Sequence, residues 1–442
     1  MKQRVLIKDI HQHIGQAVLV QGFVHVVRDQ KSVQFVVVRD HTGMIQTVLE
    51  VNENNSNHNQ IISTLTRESS VEVQGTVVEN PKVKLGQVEI LLDKIVIHSL
   101  ADPVLPIDVT GNTETEVDKR LDWRFLDLRR PENNLIFQVQ TTIERAMRSF
   151  WISEGFVEIH SPKLMGSPSE GGAELFTLDY FGTTAALAQS PQFYKQMAMA
   201  AGLDRVFEVG PVFRADPSFT SRHSPEFTSV DMEMSWIESD ADLMEMEERW
   251  LRHILLEVRE KYGEKIKAAF GIDVAVPTLP FPRIPMEEAQ AILKKLGHVS
   301  PADTKKGDID PQGEKLLCEY VLREYNHEFI FVTEYPVEVR PFYHMRDANN
   351  PKITKSFDLL WKWMEITTGA QREHRYDRLV KQAQEKGVAL EPIQFYLDFF
   401  KYGIPPHGGF GFGLARLLTV LLNLPSIRDV AFLHRSPNRL VP

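Results

Sequence analysis

Residues 207–238 read FEVGPVFRADPSFTSRHSPEFTSVDMEMSWIE, in which two apolar-rich runs flank a polar loop. Two apolar runs, Phe207 to Phe213 and Phe227 to Ile237, have the composition and length of buried antiparallel strands. The polar loop that joins them carries Arg214 and Arg222. A basic loop on its own is usually a solvated surface hairpin. Cations fixed on a rigid sheet suit a phosphoryl group in transfer, so the hairpin predicts a nucleotide site if other segments join it.

The composition is typical of a large soluble enzyme. The chain has 442 residues, more than one core usually serves, with 43% hydrophobic and 25% charged residues. No run approaches the ~20 apolar residues of a membrane span, and the N-terminus lacks the apolar core of a signal peptide. We therefore expect a cytoplasmic protein with no membrane partner. The single cysteine, Cys318, excludes an internal disulfide and a cysteine-cluster zinc site.

The net charge of −10 argues at first against a nucleic-acid partner. Its distribution weakens that objection, because residues 1–100 hold ten basic and ten acidic residues and the whole deficit lies in residues 101–442. Local patches, rather than the total charge, decide contact with a polyanion. RNA therefore stays a candidate partner.

Residues 1–100 contain five short β-rich runs separated by turn signals such as Asn80-Pro81. Five strands at this spacing predict a small closed barrel, and the oligonucleotide-binding barrel (OB-fold) is the commonest five-stranded kind. The predicted strands are Ala17–Val27, Val33–Arg39, Met44–Leu49, Val71–Val78 and Val88–Ile97.

The rest of the chain predicts a second domain of a different class. Residues 101–130 have the composition of a hinge, residues 131–442 form the domain, and 263–327 look like an inserted subdomain. Helices and strands mix irregularly, without a βαβ alternation, which favours a mainly antiparallel sheet flanked by helices. The fold class is therefore α+β. The predicted elements include helices Asn134–Glu154, Asp240–Tyr262, Met286–Gly297, Arg375–Lys386 and Leu414–Leu422, and strands Phe176–Asp179, Ala186–Gln189, Phe329–Thr333 and Phe357–Ile366.

Three further segments carry groups suited to nucleotide chemistry. Residues 189–196 read QSPQFYKQ, residues 358–372 contain two acids, threonines and an arginine, and residues 407–416 read HGGFGFGLAR. Each alone has an ordinary structural explanation, such as a solvated lysine or glycines that only permit close sheet packing. Together with the hairpin they predict a nucleotide site, because Glu365 and Thr368 offer oxygen ligands to Mg²⁺.

On these motifs the sequence resembles the class II aminoacyl-tRNA synthetases, and specifically the aspartyl-tRNA synthetases of the short, archaeal-like type, over nearly the whole chain. The helix and strand that end at Pro162 resemble motif 1, the hairpin around F-R-A-D resembles motif 2, and G-F-G-F-G-L-A-R resembles motif 3. The resemblance implies a homodimer with an antiparallel catalytic sheet and an OB-fold that reads the anticodon. It also implies ATP-dependent activation of L-aspartate and its transfer to tRNA-Asp.

The same resemblance implies roles in ATP binding. Arg214 would hold the α-phosphate and the amino-acid carboxylate, while Arg222 and His223 would reach the β- and γ-phosphates. Arg416 would stack on the adenine, and Glu365 with Thr368 would ligate Mg²⁺. Arg214, Glu365 and Arg416 are the implied catalytic residues. The implied ATP-binding residues are Arg214, Asp216, Arg222, His223, Ser224, Glu226, Phe227, Glu365, Gly413 and Arg416.

The resemblance also implies an aspartate pocket that contains Lys195 and Arg372. These cations would pair with the side-chain carboxylate, whereas the uncharged amide of asparagine would leave buried positive charge unpaired at a cost of several kcal/mol. Aspartate is therefore the expected substrate. The implied aspartate-binding residues are Glu170, Gln192, Lys195, Arg214, Thr368 and Arg372.

In the barrel, the resemblance implies that Phe35 and Gln46 stack on and hydrogen-bond to the middle base of the anticodon, with Arg28 nearby. Without the resemblance, Phe35 fits the barrel core equally well. His25 in G-F-V-H resembles relatives that also charge tRNA-Asn, whereas Lys84 resembles those restricted to tRNA-Asp. We expect relaxed tRNA specificity.

Three alternatives stay open: an asparaginyl-tRNA synthetase, a synthetase-like paralogue with an altered acceptor, and a non-catalytic RNA-binding regulator. They gain weight from departures at Asp216, Thr368, Ala370 and Ala415, where the family usually has Glu, Ser, Gly and Glu. A silent regulator has no physical need for the retained arginines and Glu365, which favours an enzyme.

Overall fold

The structure is a computed structural model that describes residues 3–166, 175–216, 220–302 and 304–442. The chain forms two compact units, Met1–Asn134 and Leu135–Pro442. Within the described residues, no helix combines the length and the apolar character needed to cross a lipid bilayer.

The first unit contains the predicted barrel, closed in the strand order β1-β2-β3-β5-β4. Valine and isoleucine side chains at alternate positions fill it, which follows from the two-residue period of a strand. All five predicted strands are confirmed. The strands are β1 (Ala17–Asp29), β2 (Val33–Arg39), β3 (Met44–Glu50), β4 (Ser70–Glu79) and β5 (Val88–Ser99), and the helices of this unit are α1 (Ser56–Thr64), α2 (Val117–Asp122) and α3 (Arg124–Asp127), with 3₁₀ turns at Ile7–His13 and Glu53–Asn55.

The strands of the second unit form an eight-stranded and a three-stranded sheet. They are β6 (Val157–Glu158), β7 (Leu164–Met165), β8 (Thr177–Tyr180), β9 (Thr183–Leu187), β10 (Arg205–Phe213), β11 (Glu226–Ser235), β12 (Arg283–Pro285), β13 (Phe329–Thr333), β14 (Ser356–Trp361), β15 (Met364–Gln371) and β16 (His407–Gly413). The large sheet has the order β12-β13-β14-β15-β16-β11-β10-β6, and the small one β7-β9-β8. Only the outermost pairs of the large sheet, β6 with β10 and β12 with β13, are parallel. The predicted antiparallel α+β class is confirmed.

Helices cover the sheet, and the main core lies between them and its strands. They are α4 (Pro131–Ser153), α5 (Gln192–Ala200), α6 (Asp240–Phe270), α7 (Met286–Lys295), α8 (Pro311–Tyr325), α9 (Tyr376–Glu385), α10 (Gln394–Lys401), α11 (Leu414–Leu421) and α12 (Ile427–Val430), with 3₁₀ turns at Val337–Val339 and Glu391–Ile393. In the core, Trp250 of α6 stacks on Trp151 of α4 at 4.5 Å between ring centroids and contacts Phe412 of β16 at 4.9 Å. These contacts lock the glycine-rich strand against the two longest helices.

Three predicted elements have wrong boundaries. The strand predicted at Ala186–Gln189 is β9, which runs Thr183–Leu187. Helix α6 continues past Tyr262 to Phe270, because Ile266 extends its buried face beyond Gly263 and the helix ends only at Gly271, which has φ 72°. The strand predicted at Phe357–Ile366 is a hairpin of β14 and β15. Its turn lies at Lys362, whose φ of 56° is unusual for a residue other than glycine, so the sequence carries no turn signal there.

Two glycines of β16 have different roles: Gly409 allows close packing against β11, and Gly411 lines a cavity. A Cβ atom on Gly409 would lie 2.0 Å from the Met232 carbonyl oxygen and 2.3 Å from Oε2 of Glu233, so this glycine is required for close packing against β11. A Cβ on Gly411 would meet nothing nearer than Asp231 Oδ1 at 3.3 Å. Gly411 lines the cavity described below.

We predict that Gly409→Ala destabilises the protein, because the added methyl group forces β16 away from β11 at a cost of about 1–3 kcal/mol. Thermal unfolding followed by circular dichroism should show a midpoint several degrees below that of the wild type. Gly411→Ala is the matched control and should unfold close to the wild type. Equal midpoints for the two variants would contradict this packing argument.

Candidate active site

A cavity of 380 Å³ opens above strands β11, β15 and β16 in the second unit. Its walls come from all four segments that the sequence singled out, so residues far apart in the chain meet around one space. The predicted site residues that line it are Gln192, Arg214, Asp216, Arg222, His223, Ser224, Phe227, Glu365, Thr368, Arg372, Gly413 and Arg416.

The β10–β11 hairpin builds one wall. Its strands stay paired up to Phe213 and Glu226, and the Arg214 amide then donates to the Pro225 carbonyl at 2.8 Å. This bond closes the base of the loop and directs the side chain of Arg214 over Phe227, with its guanidinium carbon 5.4 Å from the ring centroid. A long cationic side chain is thereby held at the end of a rigid strand.

Three guanidinium groups surround His223. Its Nε2 accepts a bond from Arg416 at 3.4 Å, and its Nδ1 bonds to the Thr220 hydroxyl at 2.6 Å. Burial, followed by the charges of Arg416, Arg222 and Arg214, lowers the pKa of His223 to about 4. His223 is therefore a neutral imidazole near pH 7, and the positive potential of the cavity comes from the arginines.

Glu365 and Thr368 face each other at the predicted metal position. The Thr368 hydroxyl donates to Oε1 of Glu365 at 3.3 Å, and the same oxygen accepts from Nη1 of Arg416 at 3.1 Å. Within the part of the chain that the structure describes, no group of three or more His, Cys, Asp or Glu side chains could hold a metal ion. The residues fit a Mg²⁺ ion that takes its remaining oxygen ligands from phosphates and water, as is usual at nucleotide sites.

A second charged pair, which the sequence did not reveal, lies beside this position. Asp358 of β14 pairs in register with Thr368, and its Oδ2 lies 2.7 Å from Nη2 of Arg340. The Arg340 guanidinium carbon also stacks 3.6 Å from the centroid of the Tyr335 ring. Burial and the nearby Glu365 raise the pKa of Asp358, although Arg340 opposes the shift. Arg340 lines the cavity and adds another buried cation to it.

Arg222 is held by a carboxylate from outside the predicted motifs. Its Nη1 donates to both carboxylate oxygens of Glu314, at 2.9 and 3.0 Å. Burial raises the pKa of Glu314 to about 7, with Arg222 opposing the shift and Glu365 reinforcing it. Glu314 belongs to α8, within the segment predicted as an inserted subdomain.

The opposite end of the cavity contains a buried network of two cations and two anions. Lys195 Nζ lies 2.9 Å from Asp231 Oδ1 and 3.4 Å from Glu233 Oε2. Arg372 donates to both oxygens of Glu233, at 2.9 and 3.2 Å, and to the Gly409 carbonyl at 2.9 Å. Burial favours a higher pKa for Glu233, but Arg372 and Lys195 outweigh it and keep the pKa below its ordinary value.

This network corrects the expected basis of amino-acid selection. Lys195 and Arg372 are already paired in the free protein, so an uncharged ligand would not leave them as unpaired buried charges. The charge argument against asparagine is therefore wrong in its premise. The physical reason is that Asp231 and Glu233 project from alternate positions of β11, which the apolar pattern assigned to buried packing.

Two neutral histidines accompany the buried network of Lys195, Arg372, Asp231 and Glu233. His344 Nε2 accepts from Arg372 Nη1 at 3.1 Å, and burial followed by the charge of Arg372 lowers the pKa of His344 well below its ordinary value. His407 accepts from Gln196 at 2.9 Å and bonds the Pro405 carbonyl at 2.8 Å, and burial lowers its pKa to about 4. Both rings act as fixed hydrogen-bonding groups.

Among the described residues predicted for the catalytic site, two do not line the cavity. Lys195 is buried beneath it, with its ammonium held by Asp231. Glu226 is exposed and lines a neighbouring cavity of 340 Å³, of which Phe227 and Ser224 also form part. Glu170 lies outside the described residues.

The barrel face predicted for the anticodon is polar and accessible. Phe35 is half-buried, pairs with Arg28 across β1 and β2, and is absent from the described barrel core, so the core interpretation does not hold. Gln46 donates to Glu89 Oε2 at 2.9 Å, and Arg28 and Lys84 are exposed. His25 is the extra residue of a β-bulge.

The bulge directs the His25 ring toward a fixed cation. Its Nδ1 accepts from Arg39 Nη1 at 3.2 Å. Burial, followed by the charge of Arg39, lowers the pKa of His25. The ring is therefore neutral near pH 7 and offers hydrogen bonds rather than charge.

Comparison with known proteins agrees with this geometry. Residues 116–436 match the family described as "tRNA synthetases class II (D, K and N)", and residues 18–97 match the "OB-fold nucleic acid binding domain". The chain is 44% identical to the aspartate–tRNA(Asp) ligase of Thermococcus kodakarensis, over 97% of each protein. It is 43% identical to the aspartate–tRNA(Asp/Asn) ligase of Methanopyrus kandleri, over 97% of this chain and 96% of that protein.

Solved structures show the same architecture. The asparaginyl-tRNA synthetase of Pyrococcus horikoshii, complexed with asparaginyl-adenylate, superposes with a TM-score of 0.91 at 32% identity and full coverage of both chains. The family match covers most of the sequence, including every element that lines the cavity. The chain belongs to the class II aminoacyl-tRNA synthetases, in the group for aspartate, lysine and asparagine (D, K and N).

Proposed function

We propose that the protein is an aspartate–tRNA ligase, which activates L-aspartate with ATP and transfers it to the 3′ end of tRNA-Asp and also of tRNA-Asn. The convergence of Arg214, Arg222 and Arg416 on one cavity supports the nucleotide chemistry most strongly. The aspartate ligases among its relatives support the amino acid.

In the first step, the α-carboxylate of aspartate attacks the α-phosphorus of ATP in line. A carboxylate oxygen–phosphorus bond forms, the bond to the bridging oxygen breaks, and pyrophosphate leaves. Arg214 binds the α-phosphate and the attacking carboxylate, which offsets the charge that develops between them. Arg222 and the neutral His223 bind the outer phosphates. When bound, Mg²⁺ held by Glu365 and Thr368 supplies further charge neutralisation at the phosphates.

The adenine lies between Phe227 and Arg416 in this proposal, and Arg416 contributes a cation–π contact of roughly 1–2 kcal/mol. Ser224, Gly413 and Asp216 are the remaining nucleotide contacts. Glu226 borders the adenine ring from the neighbouring cavity that it lines. In the second step, the 3′-hydroxyl of the terminal adenosine of tRNA attacks the carbonyl carbon of the adenylate. An ester bond forms, the bond from that carbon to the phosphate oxygen breaks, and AMP leaves while the hydroxyl proton passes to its phosphate or to solvent. Positioning supplies much of the acceleration in both steps.

For the amino acid, we propose Gln192, Arg372 and Thr368 as contacts in the cavity, and Lys195 acts through Asp231. The family resemblance adds Glu170, which lies outside the described residues, as a further contact. Asparagine is the second candidate substrate, because the superposed synthetase from Pyrococcus horikoshii holds asparaginyl-adenylate.

The proposal assigns residues 1–100 to the anticodon, 101–130 to a hinge and 131–442 to catalysis, with 263–327 as an inserted subdomain. His25, Arg28, Phe35, Gln46 and Lys84 form the anticodon-binding face. Stacking of a base on Phe35 contributes about 1–3 kcal/mol. The cytoplasm is the compartment that fits this activity.

We also propose that the protein works as a homodimer. Strand β6 is an edge of the large sheet, and Val157 on it and the adjoining Ile152 are 47% and 62% exposed. An edge strand with apolar side chains is a template for pairing with another chain.

We predict ATP–pyrophosphate exchange with aspartate and weak or absent exchange with asparagine, in line with the aspartate ligases among the relatives. We predict near-total loss in Arg214→Ala, because alanine cannot make the bidentate contact proposed for Arg214. Chelation of Mg²⁺ with EDTA should abolish exchange. Radioactive pyrophosphate incorporated into ATP is the readout. Arg145→Ala, at an exposed ion pair with Glu257 on α6, is the control and should retain exchange.

Normal exchange in Arg214→Ala would refute the role of Arg214, and exchange with asparagine alone would select the second candidate. A silent regulator gives no exchange with either amino acid. A paralogue with an altered acceptor gives exchange without charging tRNA.

We predict that the protein charges both tRNA-Asp and tRNA-Asn, because His25 in G-F-V-H is the feature that resembles relaxed relatives. Aminoacylation of each transcript with labelled aspartate measures this directly. His25→Trp should lower the efficiency with tRNA-Asn more than with tRNA-Asp. Charging of tRNA-Asp alone by the wild type would overturn the relaxed assignment.

We predict a solution mass of twice the 50.6 kDa chain in sedimentation equilibrium. Val157→Lys, which places a charge on the exposed edge, should shift the distribution toward the single chain. A wild-type protein that stays at 50.6 kDa at micromolar concentration would contradict the dimer.

A further inference from the structure

Glu314 lies in the first turn of α8, between motif 2 and motif 3, and belongs to neither. It is almost completely buried, at 6% exposure. Its helix begins at Pro311 after the N-cap Asp310, whose carboxylate accepts from the backbone amides of Gln312 and Gly313 at 3.0 and 3.2 Å. The position of the Glu314 side chain is therefore set by a well-capped helix.

The Glu314 carboxylate joins two parts of the nucleotide site. Both of its oxygens accept from Nη1 of Arg222, at 2.9 and 3.0 Å, and Oε2 also accepts from the backbone amide of Glu365 at 2.9 Å. Arg222 comes from the loop between β10 and β11, whereas Glu365 belongs to β15. One side chain thus connects the loop that carries a phosphate-binding cation to the strand that carries the metal ligand.

These contacts still allow Arg222 to act on a ligand. A guanidinium has five N–H donors. Nη1 bonds Glu314, Nη2 bonds the Trp363 carbonyl at 3.4 Å, and Arg222 lines the cavity. Without Glu314, the side chain of Arg222 would gain rotamer freedom that a bound triphosphate would have to remove.

We propose that Glu314 is a positioning residue for ATP: it orients Arg222 toward the β- and γ-phosphates and holds the backbone at Glu365. This inference rests on the proposed function, because it assigns the cavity to ATP. Glu314 acts through Arg222 and Glu365 and does not itself contact the substrates.

The test compares Glu314→Ala and Glu314→Gln in steady-state exchange and in direct calorimetric binding of Mg²⁺–ATP. The alanine variant should raise the KM for ATP about tenfold and leave the KM for aspartate within about twofold, because only the phosphate end of the site loses its support. The glutamine variant keeps an acceptor for the Glu365 amide and should give a smaller rise. Glu319→Gln, whose side chain is 57% exposed on the same helix, is the matched control and should behave as the wild type.

A double-mutant cycle with Arg222→Gln separates positioning from general damage to the fold. Glu314→Ala should have a clearly smaller effect on ATP binding once Arg222 is gone, because only the contact with the Glu365 amide then remains to be lost. An unchanged KM for ATP, equal rises for ATP and aspartate, or equal effects of Glu314→Ala in both backgrounds would overturn the proposal. If the alanine variant fails to fold, Glu314→Gln supplies the same cycle.

Failure of the proposed function is distinguishable from failure of this inference. A wild type that binds Mg²⁺–ATP but gives no exchange with aspartate refutes the amino-acid assignment, while the calorimetric cycle still tests Glu314.

Discussion

The structure depends on pairing the cations of one cavity with carboxylates on neighbouring elements. Desolvated guanidinium and ammonium groups are stable only when they are paired and hydrogen-bonded. Arg222 is paired in this way with Glu314, Arg372 with Glu233 and Lys195 with Asp231, and Arg340 forms an ion pair with Asp358. Arg416 has Glu365. The protein can therefore concentrate positive charge where a triphosphate binds without unfolding around it.

The antiparallel sheet makes this arrangement possible. Strand β16 lies between β11 and β15, so side chains of the motif 2 hairpin and of β15 face one cavity although they are far apart in the chain. Gly409 allows β16 to approach β11 closely enough for Arg372 to reach Glu233 across it. Trp250 and Trp151 fix the opposite face of the sheet. Strands hold four of the paired carboxylates, Asp231, Glu233, Asp358 and Glu365, which favours preorganised electrostatic stabilisation.

The architecture and most residues of the main site can be predicted from the sequence. The ion-pair partners of those residues cannot be predicted where they come from distant elements. Valines at every second position predict the strands of the barrel. The composition of the motifs predicts which segments meet at the site. The acids of β11 were a usable signal, because Asp231 and Glu233 lie in an apolar run where a charge needs a partner. Glu314 and Arg340 carry no such local signal, since their roles depend on the tertiary placement of α8 and of the segment before β14. The turn at Lys362 lacks glycine, so its hairpin could not be read from composition.

The central claim is that arginines from separate segments bind a single nucleotide. A crystal structure with a non-hydrolysable ATP analogue and Mg²⁺ tests it most directly. The account predicts the α-phosphate on Arg214, the outer phosphates on Arg222 and His223, and the adenine between Phe227 and Arg416. A nucleotide bound elsewhere, or one that contacts none of these guanidinium groups, would contradict it.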